Sequence, residues 1–387
     1  MQAAIELVDA VCVAARGGGA AADTLIARYF KTRRYAGSGD RREIRELAYA
    51  AIRRAGDLPD SGRAAMVGLA RDRPELAALF DGSRHGPPPI APDEPAAAAG
   101  IVPAWLGERL ARVVPAVEWP ALLGRAPLDL RVNRLKADRD AVRALLPDAI
   151  PGRLSVDALR LPDGTALETL PVFRDGLVEV QDEGSQIVAL ASGARPGMIV
   201  VDLCAGAGGK TLALAAMMAG QGRLIACDVD RARLSRLGPR AERAGAGGIE
   251  TRMLDGGREA AALADLAGLA DVVLVDAPCS GTGTWRRNPE ARWRLTPARL
   301  DRLIALQQHV LDLAMPLVRP GGRLVYAVCS LLAEEGADRI AAALGTHPDW
   351  SATSVGAAGH PCGAGRLLTP AHDDTDGFFV AALTRPC

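Results

Sequence analysis

The run Val200-Val201-Asp202-Leu203-Cys204-Ala205-Gly206-Ala207-Gly208-Gly209-Lys210-Thr211 constrains the fold more than any other stretch of this 387-residue chain. Apolar residues from Met198 to Leu203 end in a small, glycine-rich turn, and a helix-compatible segment follows from Lys210 to Met218. Glycine lets backbone approach a ligand closely, and a helix N-terminus presents free N–H groups and a partial positive charge. In an open parallel sheet such a crevice takes nucleotide-like ligands. Neither common phosphate loop fits. The Walker spacing Gly-x4-Gly-Lys-Ser/Thr is not met, and Thr211 stands where the dinucleotide fingerprint requires its third glycine. A generic strand-to-helix turn is the plainer alternative, and only the flanking chain separates the two.

From Leu177 onward, strand-like and helix-like segments alternate, the pattern of a doubly wound α/β domain. Strands are expected at Met198–Leu203, Leu224–Asp228, Glu250–Leu254, Asp271–Asp276, Arg323–Val328 and Phe378–Thr384. Helices are expected at Thr211–Met218, Arg231–Ala244, Pro297–Val318 and Glu334–Leu344. The apolar runs are continuous, as burial of both sheet faces demands.

Residues 1–85 read as helical. Ile5, Val8, Val11 and Cys12 recur at helical spacing, a second segment covers Ala22–Tyr29, and a third begins near Ser38 with Asp40 as its expected N-cap. Shorter helices are expected at Gly62–Leu69 and Glu75–Leu79. Lys31, Arg33, Arg34, Arg41, Arg42 and Arg45 lie among Tyr29, Phe30 and Tyr35. That mixture suits an RNA surface, or equally a solvated helix face over core aromatics. Residues 86–100, rich in proline and alanine, read as a linker. Residues 101–175 read as a small α+β connector, with a strand at Leu128–Asn133, a helix capped by Asp138 and a strand near Ala158–Leu161. Arg131, Asn133, Arg134 and Lys136 are its candidate phosphate contacts. Residues 176–387 form the last domain.

The chemistry-bearing residues fall at the expected strand ends. Asp228, 26 residues beyond Asp202, is placed to accept hydrogen bonds from the ribose hydroxyls of a bound adenosine, and Asp255 to hold the adenine amino group. For both, a helix cap or turn is the bland alternative. The fourth strand ends in Asp276-Ala277-Pro278-Cys279-Ser280-Gly281, and the fifth in Tyr326-Ala327-Val328-Cys329-Ser330. Cys279 and Cys329 are 50 residues apart in sequence, yet neighbouring parallel strands bring their ends above one crevice. A buried structural thiol is the usual reading of a cysteine, and it serves for Cys12, Cys204 and Cys227. For the pair at neighbouring strand ends, one reaction needs the arrangement. Carbon 5 of a pyrimidine is too electron-poor to attack a methyl sulfonium. A thiolate adding to carbon 6 turns carbon 5 into an enamine-like nucleophile. A carboxyl group at N3 stabilises the adduct, and a base must then remove the carbon 5 proton so that the thiol can leave.

These residues carry a resemblance. Cys204 to Lys210, Asp276 to Gly281, Arg286-Arg287-Asn288-Pro289-Glu290 with Trp293, and Tyr326 to Ser330 resemble the RsmB/Sun (NOP2/Sun) family of RNA 5-methylcytosine methyltransferases. Gln181-Asp182-Glu183-Gly184-Ser185-Gln186 looks like the family's segment preceding the cofactor loop. The leading helices, with Gly39-Asp40-Arg41-Arg42, are similar to the NusB-like domain of the bacterial rRNA member, and residues 101–175 to its RNA-binding connector. The resemblance implies a Rossmann-like S-adenosylmethionine methyltransferase domain behind an all-helical NusB-like domain and an α+β connector. It implies that Cys204, Ala205, Gly206, Ala207, Gly208, Gly209, Lys210, Asp228, Asp255 and Asp276 line the S-adenosylmethionine site. It makes Cys329 the nucleophile, Cys279 the residue that assists proton removal and product release, and Lys210 a support for Asp276 and the base. Two departures stand out: Val328 replaces the usual threonine before the nucleophile, and Ala207 replaces a common proline in the loop. The target base must leave any stack to reach such a crevice, so a single-stranded or flipped cytosine is expected. Arg286, Arg287 and Arg292 near Trp285 and Trp293 are candidates to hold phosphates and stack bases, against the alternative of a surface arginine turn.

Composition trims the remaining classes. Net charge is zero, so the molecule is not a polycation. No run of eighteen apolar residues and no signal-like N-terminus appear, so a cytoplasmic protein off the membrane is expected. Seven cysteines without a Cys-x-x-Cys pair support neither zinc nor a disulfide framework, and no metal is expected. The partner is RNA, rRNA first and tRNA second, acted on by a monomer. A non-catalytic rRNA-binding factor that keeps the fold is the reading from a different class.

Overall fold

The computed structural model describes residues 1–33 and 36–387; Arg34 and Tyr35 of the basic cluster lie outside the described residues. Two compact units divide the chain: Met1–Arg125 with Thr284–Arg299, and Ala126–Gly283 with Leu300–Cys387.

In the first unit, helices α1 (Gln2–Gly17), α2 (Ala22–Thr32), α3 (Ser38–Arg54) and α4 (Gly62–Asp72) enclose Ile5, Val8, Val11, Ile26, Phe30, Ile52 and Met66. Asp40 is the third residue of α3 rather than its N-cap, and its carboxylate accepts the Gly37 N–H at 3.1 Å from inside the first turn. Phe30 is buried in the core and Arg33 lies over the Tyr29 ring at 3.7 Å, so part of the basic–aromatic cluster is packed internally. Residues 86–100 are no free linker. Ala97 N–H donates to Ala64 O, Gly100 N–H to Arg54 O, and Arg63 pairs with Glu94 at 2.5 Å. Proline removes donors and defeats helix or strand periodicity, which mimics a linker, yet these bonds hold the segment against the helices.

The segment Thr284–Arg299 completes this unit. Glu290 accepts the Ala22 N–H at 2.8 Å at the start of α2, and Arg292 Nη2 donates to the carbonyls of Ile52, Arg53 and Ala55 at 2.6, 3.0 and 2.7 Å at the end of α3. Trp293 Nε1 also donates to Ala55 O at 3.0 Å. Trp285, Arg286, Arg292 and Trp293 are buried. This overturns the expectation that Arg286, Arg292 and the tryptophans form a nucleotide-stacking surface: free N–H and carbonyl groups at helix ends need partners, and this segment supplies them.

The second unit holds two sheets. The smaller one is antiparallel, in the order β2 (Ile150–Pro151), β3 (Ala158–Leu161), β1 (Leu128–Val132), β4 (Val178–Val180). β4 extends the connector beyond residue 175. Arg131 and Asn133 are buried, bonded to Gln181 and to the carbonyls of Gly176 and Ala244, and Lys136 Nζ donates to the carbonyls of Asp175 and Arg243. These three brace the connector instead of offering phosphate contacts; Arg134, paired with Asp157 at 3.4 Å, is mostly exposed.

The larger sheet has nine strands among the described residues. Its parallel part runs β7 (Ile249–Met253), β6 (Arg223–Asp228), β5 (Ile199–Asp202), β8 (Ala270–Asp276), β9 (Val318–Val328). An antiparallel edge follows, β13 (Phe378–Thr384), β12 (Gly365–Leu368) and β11 (His360–Cys362), with β10 (Ser351–Thr353) also on β13. This is the Rossmann-like sheet. The expected helix Arg231–Ala244 is two helices, Arg231–Leu234 and Leu237–Ala244, because Pro239 is tolerated only in a first turn. The helix from Pro297 ends at Ala314, ahead of Pro316.

Candidate active site

The strand order reverses at β5, between β6 and β8, so a crevice opens above its carboxyl end. Cys204 to Gly208 form the turn there, and the helix Gly209–Met217 starts at once. Gly206 (φ +56°) and Gly208 (φ +86°) take the left-handed backbone, and a Cβ on Gly208 would meet Leu237 Cδ1 at 2.2 Å. Gly209, by contrast, has open space where a Cβ would point. The loop is tied down on its far side: Asp228 Oδ2 accepts the Gly206 N–H at 2.6 Å, and Arg240 donates to Ala207 O at 2.6 Å while pairing with buried Glu179 at 2.9 Å. Arg240 and Glu179 were not legible as site residues, since each is one of many charged residues in the sequence.

Asp228 ends β6, and its second oxygen accepts the Asp230 N–H at 2.7 Å. Each carboxylate oxygen retains a lone pair for a hydroxyl donor. The helix-cap role belongs to Asp230, which accepts the Arg233 N–H. Asp255, just past β7, is exposed, and the preceding Leu254 N–H donates to Asp228 O at 2.9 Å. Asp202, at the end of β5, is fully buried; Thr211 donates to Oδ2 at 2.6 Å and Oδ1 has no partner. An orphaned buried oxygen beneath the loop, the left-handed glycines, the open face of Gly209 and the helix N-terminus beside it fit a nucleoside that carries an amino acid, such as S-adenosylmethionine.

β8 and β9 pair in parallel with Asp276 opposite Ala327, and their ends carry the rest of the site. Lys210 Nζ donates to Asp276 Oδ2 at 2.6 Å and lies 5.4 Å from the Phe378 ring centre. Burial disfavours the lysine charge, but the Asp276 carboxylate outweighs it and holds the Lys210 pKa above its usual value. Cys279 and Cys329 come together as expected, sulfur to sulfur at 3.4 Å. The hydrogen bond with Cys329, then burial, hold the Cys279 thiol well above the usual range. Cys204 is kept protonated by burial and lies in the loop wall.

Beneath the two cysteines lies a polar cluster that sequence reasoning missed: Ser280, Thr282, Gln307, Ser330 and Glu335. One signal was available, because a serine follows each of the two cysteines. Among the described residues no group of His, Cys, Asp and Glu is placed to hold a metal, and no helix is long and apolar enough to cross a membrane.

Residues 189–384 match the family model described as 16S rRNA methyltransferase RsmB/F. The ribosomal RNA small subunit methyltransferase B of Citrobacter koseri is 35% identical over 330 residues, 82% of this chain and 75% of that protein. Its counterpart in Erwinia tasmaniensis is 38% identical over 291 residues, 73% of this chain and 66% of that protein. Among solved structures, PH0851 is similar in fold, with a TM-score of 0.81 at 24% identity over 98% of both chains.

Proposed function

Because the chain belongs to the RsmB/F family of 16S rRNA methyltransferases, we propose that it methylates carbon 5 of a cytosine in ribosomal RNA through a covalent bond between Cys329 and carbon 6. S-adenosylmethionine, the methyl donor, supplies an electrophilic methyl group when bound. The observation that carries the reading is the pair of sulfurs 3.4 Å apart, beside a carboxylate held by a lysine at 2.6 Å.

The loop Cys204 to Gly209 with Asp228 and Asp255 holds the donor, its adenosine toward the two aspartates. Cys329 attacks carbon 6 of a cytosine turned into the crevice. Charge then builds toward N3, where the Asp276 side chain and the cationic Lys210 that holds it stabilise it. Carbon 5 takes the methyl group. The thiol pair times the last step. While Cys329 is free, its hydrogen bond, with burial, keeps the Cys279 thiol protonated. Once Cys329 is a thioether that hydrogen bond weakens, Cys279 ionises more readily, and it can take the carbon 5 proton as Cys329 departs.

A denaturing gel tests this. Cys279→Ala protein mixed with rRNA and S-adenosylmethionine is expected to accumulate a slow-migrating protein–RNA adduct, and Cys329→Ala in the same background to abolish it. An adduct on tRNA alone keeps the chemistry and replaces the substrate. No adduct on either RNA, with the donor still bound, favours a non-catalytic binding factor.

A further inference from the structure

The two cysteine loops are joined underneath by one buried side chain, Glu335. Glu335 lies just past β9, is fully buried, and is satisfied by four neutral donors. Oε1 accepts the Ser280 N–H at 2.8 Å and Gln307 Nε2 at 3.0 Å. Oε2 accepts the Ser280 hydroxyl and, at 2.5 Å, the Ser330 hydroxyl. Gln307 Nε2 also donates to Pro278 O at 2.9 Å, so the residues on both sides of Cys279 are pinned. On the other loop, Ser330 is the immediate neighbour of Cys329. The Glu335 backbone is itself fixed, its carbonyl accepting the hydroxyl of buried Tyr326 at 2.7 Å.

We infer that Glu335 is a positioning residue: its carboxylate clamps the Cys279 loop to the Cys329 loop and sets the separation of the two sulfurs. The inference rests on the reading that both thiols serve one reaction. A buried carboxylate is an expensive brace, because its desolvation is a cost that well-packed apolar residues avoid. What a carboxylate adds is four acceptor positions in one plane, enough to gather donors from two loops and a helix. The loops retain other links, Gly283 N–H to Cys329 O at 3.0 Å and Leu331 N–H to Thr282 Oγ1 at 2.8 Å. Losing the clamp therefore loosens the pair without unfolding the sheet.

Two readouts test it on the full-length protein. The first is the rate at which oxidised glutathione closes a Cys279–Cys329 disulfide, read as the cross-linked peptide by mass spectrometry. Two protein thiols and one glutathione disulfide give one protein disulfide and two glutathione thiols. The second is methyl transfer to rRNA. Glu335→Ala is expected to slow disulfide closure about tenfold or more and to lower kcat about 10- to 100-fold, with KM for S-adenosylmethionine within about threefold. Glu335→Gln, which can accept from Ser280 and Gln307 and donate to the serine hydroxyls, should recover most of both. Should Glu335→Ala not fold, Ser330→Ala, which removes one Glu335 contact together with the hydroxyl's bonds to Ser280, Thr282 and the Leu332 N–H, decides by the same criteria. Disulfide closure at the wild-type rate in these variants, or a wild-type protein that does not close the bond, overturns the clamp. Slowed closure in a protein that methylates no RNA upholds the clamp and sinks the methyltransferase reading instead.

Discussion

Asp202 carries an unusual load for one side chain, ending the central strand, holding Thr211 and leaving one buried oxygen bare beneath the cofactor loop. Burial above all pushes its pKa up to about 7; the Thr211 hydrogen bond opposes the shift and the nearby Asp276 carboxylate adds to it. The sign follows from linkage. In the unfolded chain the group ionises near its ordinary value of 3.8, whereas the folded protein keeps the proton until about 7. Between those values the folded state binds more protons, so this residue's contribution to stability falls as pH rises through the window and is flat above it. Asp202→Asn supplies an oxygen for Thr211 and a neutral amide in place of the bare oxygen. We expect the variant to lose less thermal stability than the parent between about pH 4 and pH 7, measured as Tm by circular dichroism. Parallel Tm curves for the two proteins would show that Asp202 is ionised throughout.

At the scale of elements, α3 and the segment that plugs its end show how a buried cation holds a helix. The last carbonyls of a helix lack partners and carry partial negative charge. Arg292 answers both needs, donating to Ile52, Arg53 and Ala55 from a fully buried position. Arg292→Met fills the space but orphans these carbonyls, and should destabilise the helical unit by roughly 2–5 kcal/mol. Urea denaturation followed by limited proteolysis of α3 checks it; a loss under about 0.5 kcal/mol would mean water takes over the caps. The same segment marks the limit of what the sequence discloses. Strands β5, β6, β8 and β9 were legible because each is a continuous apolar run ending in a residue with chemistry to perform, Asp202, Asp228, Asp276 or Cys329. The antiparallel β10, β11 and β12 were not, being three or four residues long. Arg292 and Trp293 were misread as an RNA surface because arginine beside tryptophan has the composition of one. Its carbonyl partners lie some 240 residues away, and no local pattern encodes them. Glu335 was missed because the partners that join it to the other cysteine loop, Ser280 and Gln307, lie 55 and 28 residues away.

For the molecule as a whole, the chain crosses between its units more often than a string of domains would. Residues 284–299 fall between β8 and β9 in sequence, inside the methyltransferase stretch, yet they pack with the helical unit. The chain enters that segment five residues after Cys279. A fragment beginning at Ala126 therefore keeps every strand of both sheets but strips the helical core from Trp293, which is 6% exposed in the full chain and donates to Ala55 O. An uncovered tryptophan presents about 150–250 Å² of largely apolar surface, roughly 5 kcal/mol at ~25 cal/mol per Å². That matches the lower end of a typical domain's whole stability, about 5–15 kcal/mol. We expect the fragment 126–387 to aggregate or to melt well below the full chain, as followed by light scattering during a thermal ramp. Replacing residues 284–299 with a short glycine–serine loop should restore its solubility, because it removes the orphaned segment and spares both sheets. If the unaltered fragment is instead monomeric and melts with the full chain, the segment finds cover on its own unit, and the helical unit is a separable appendage.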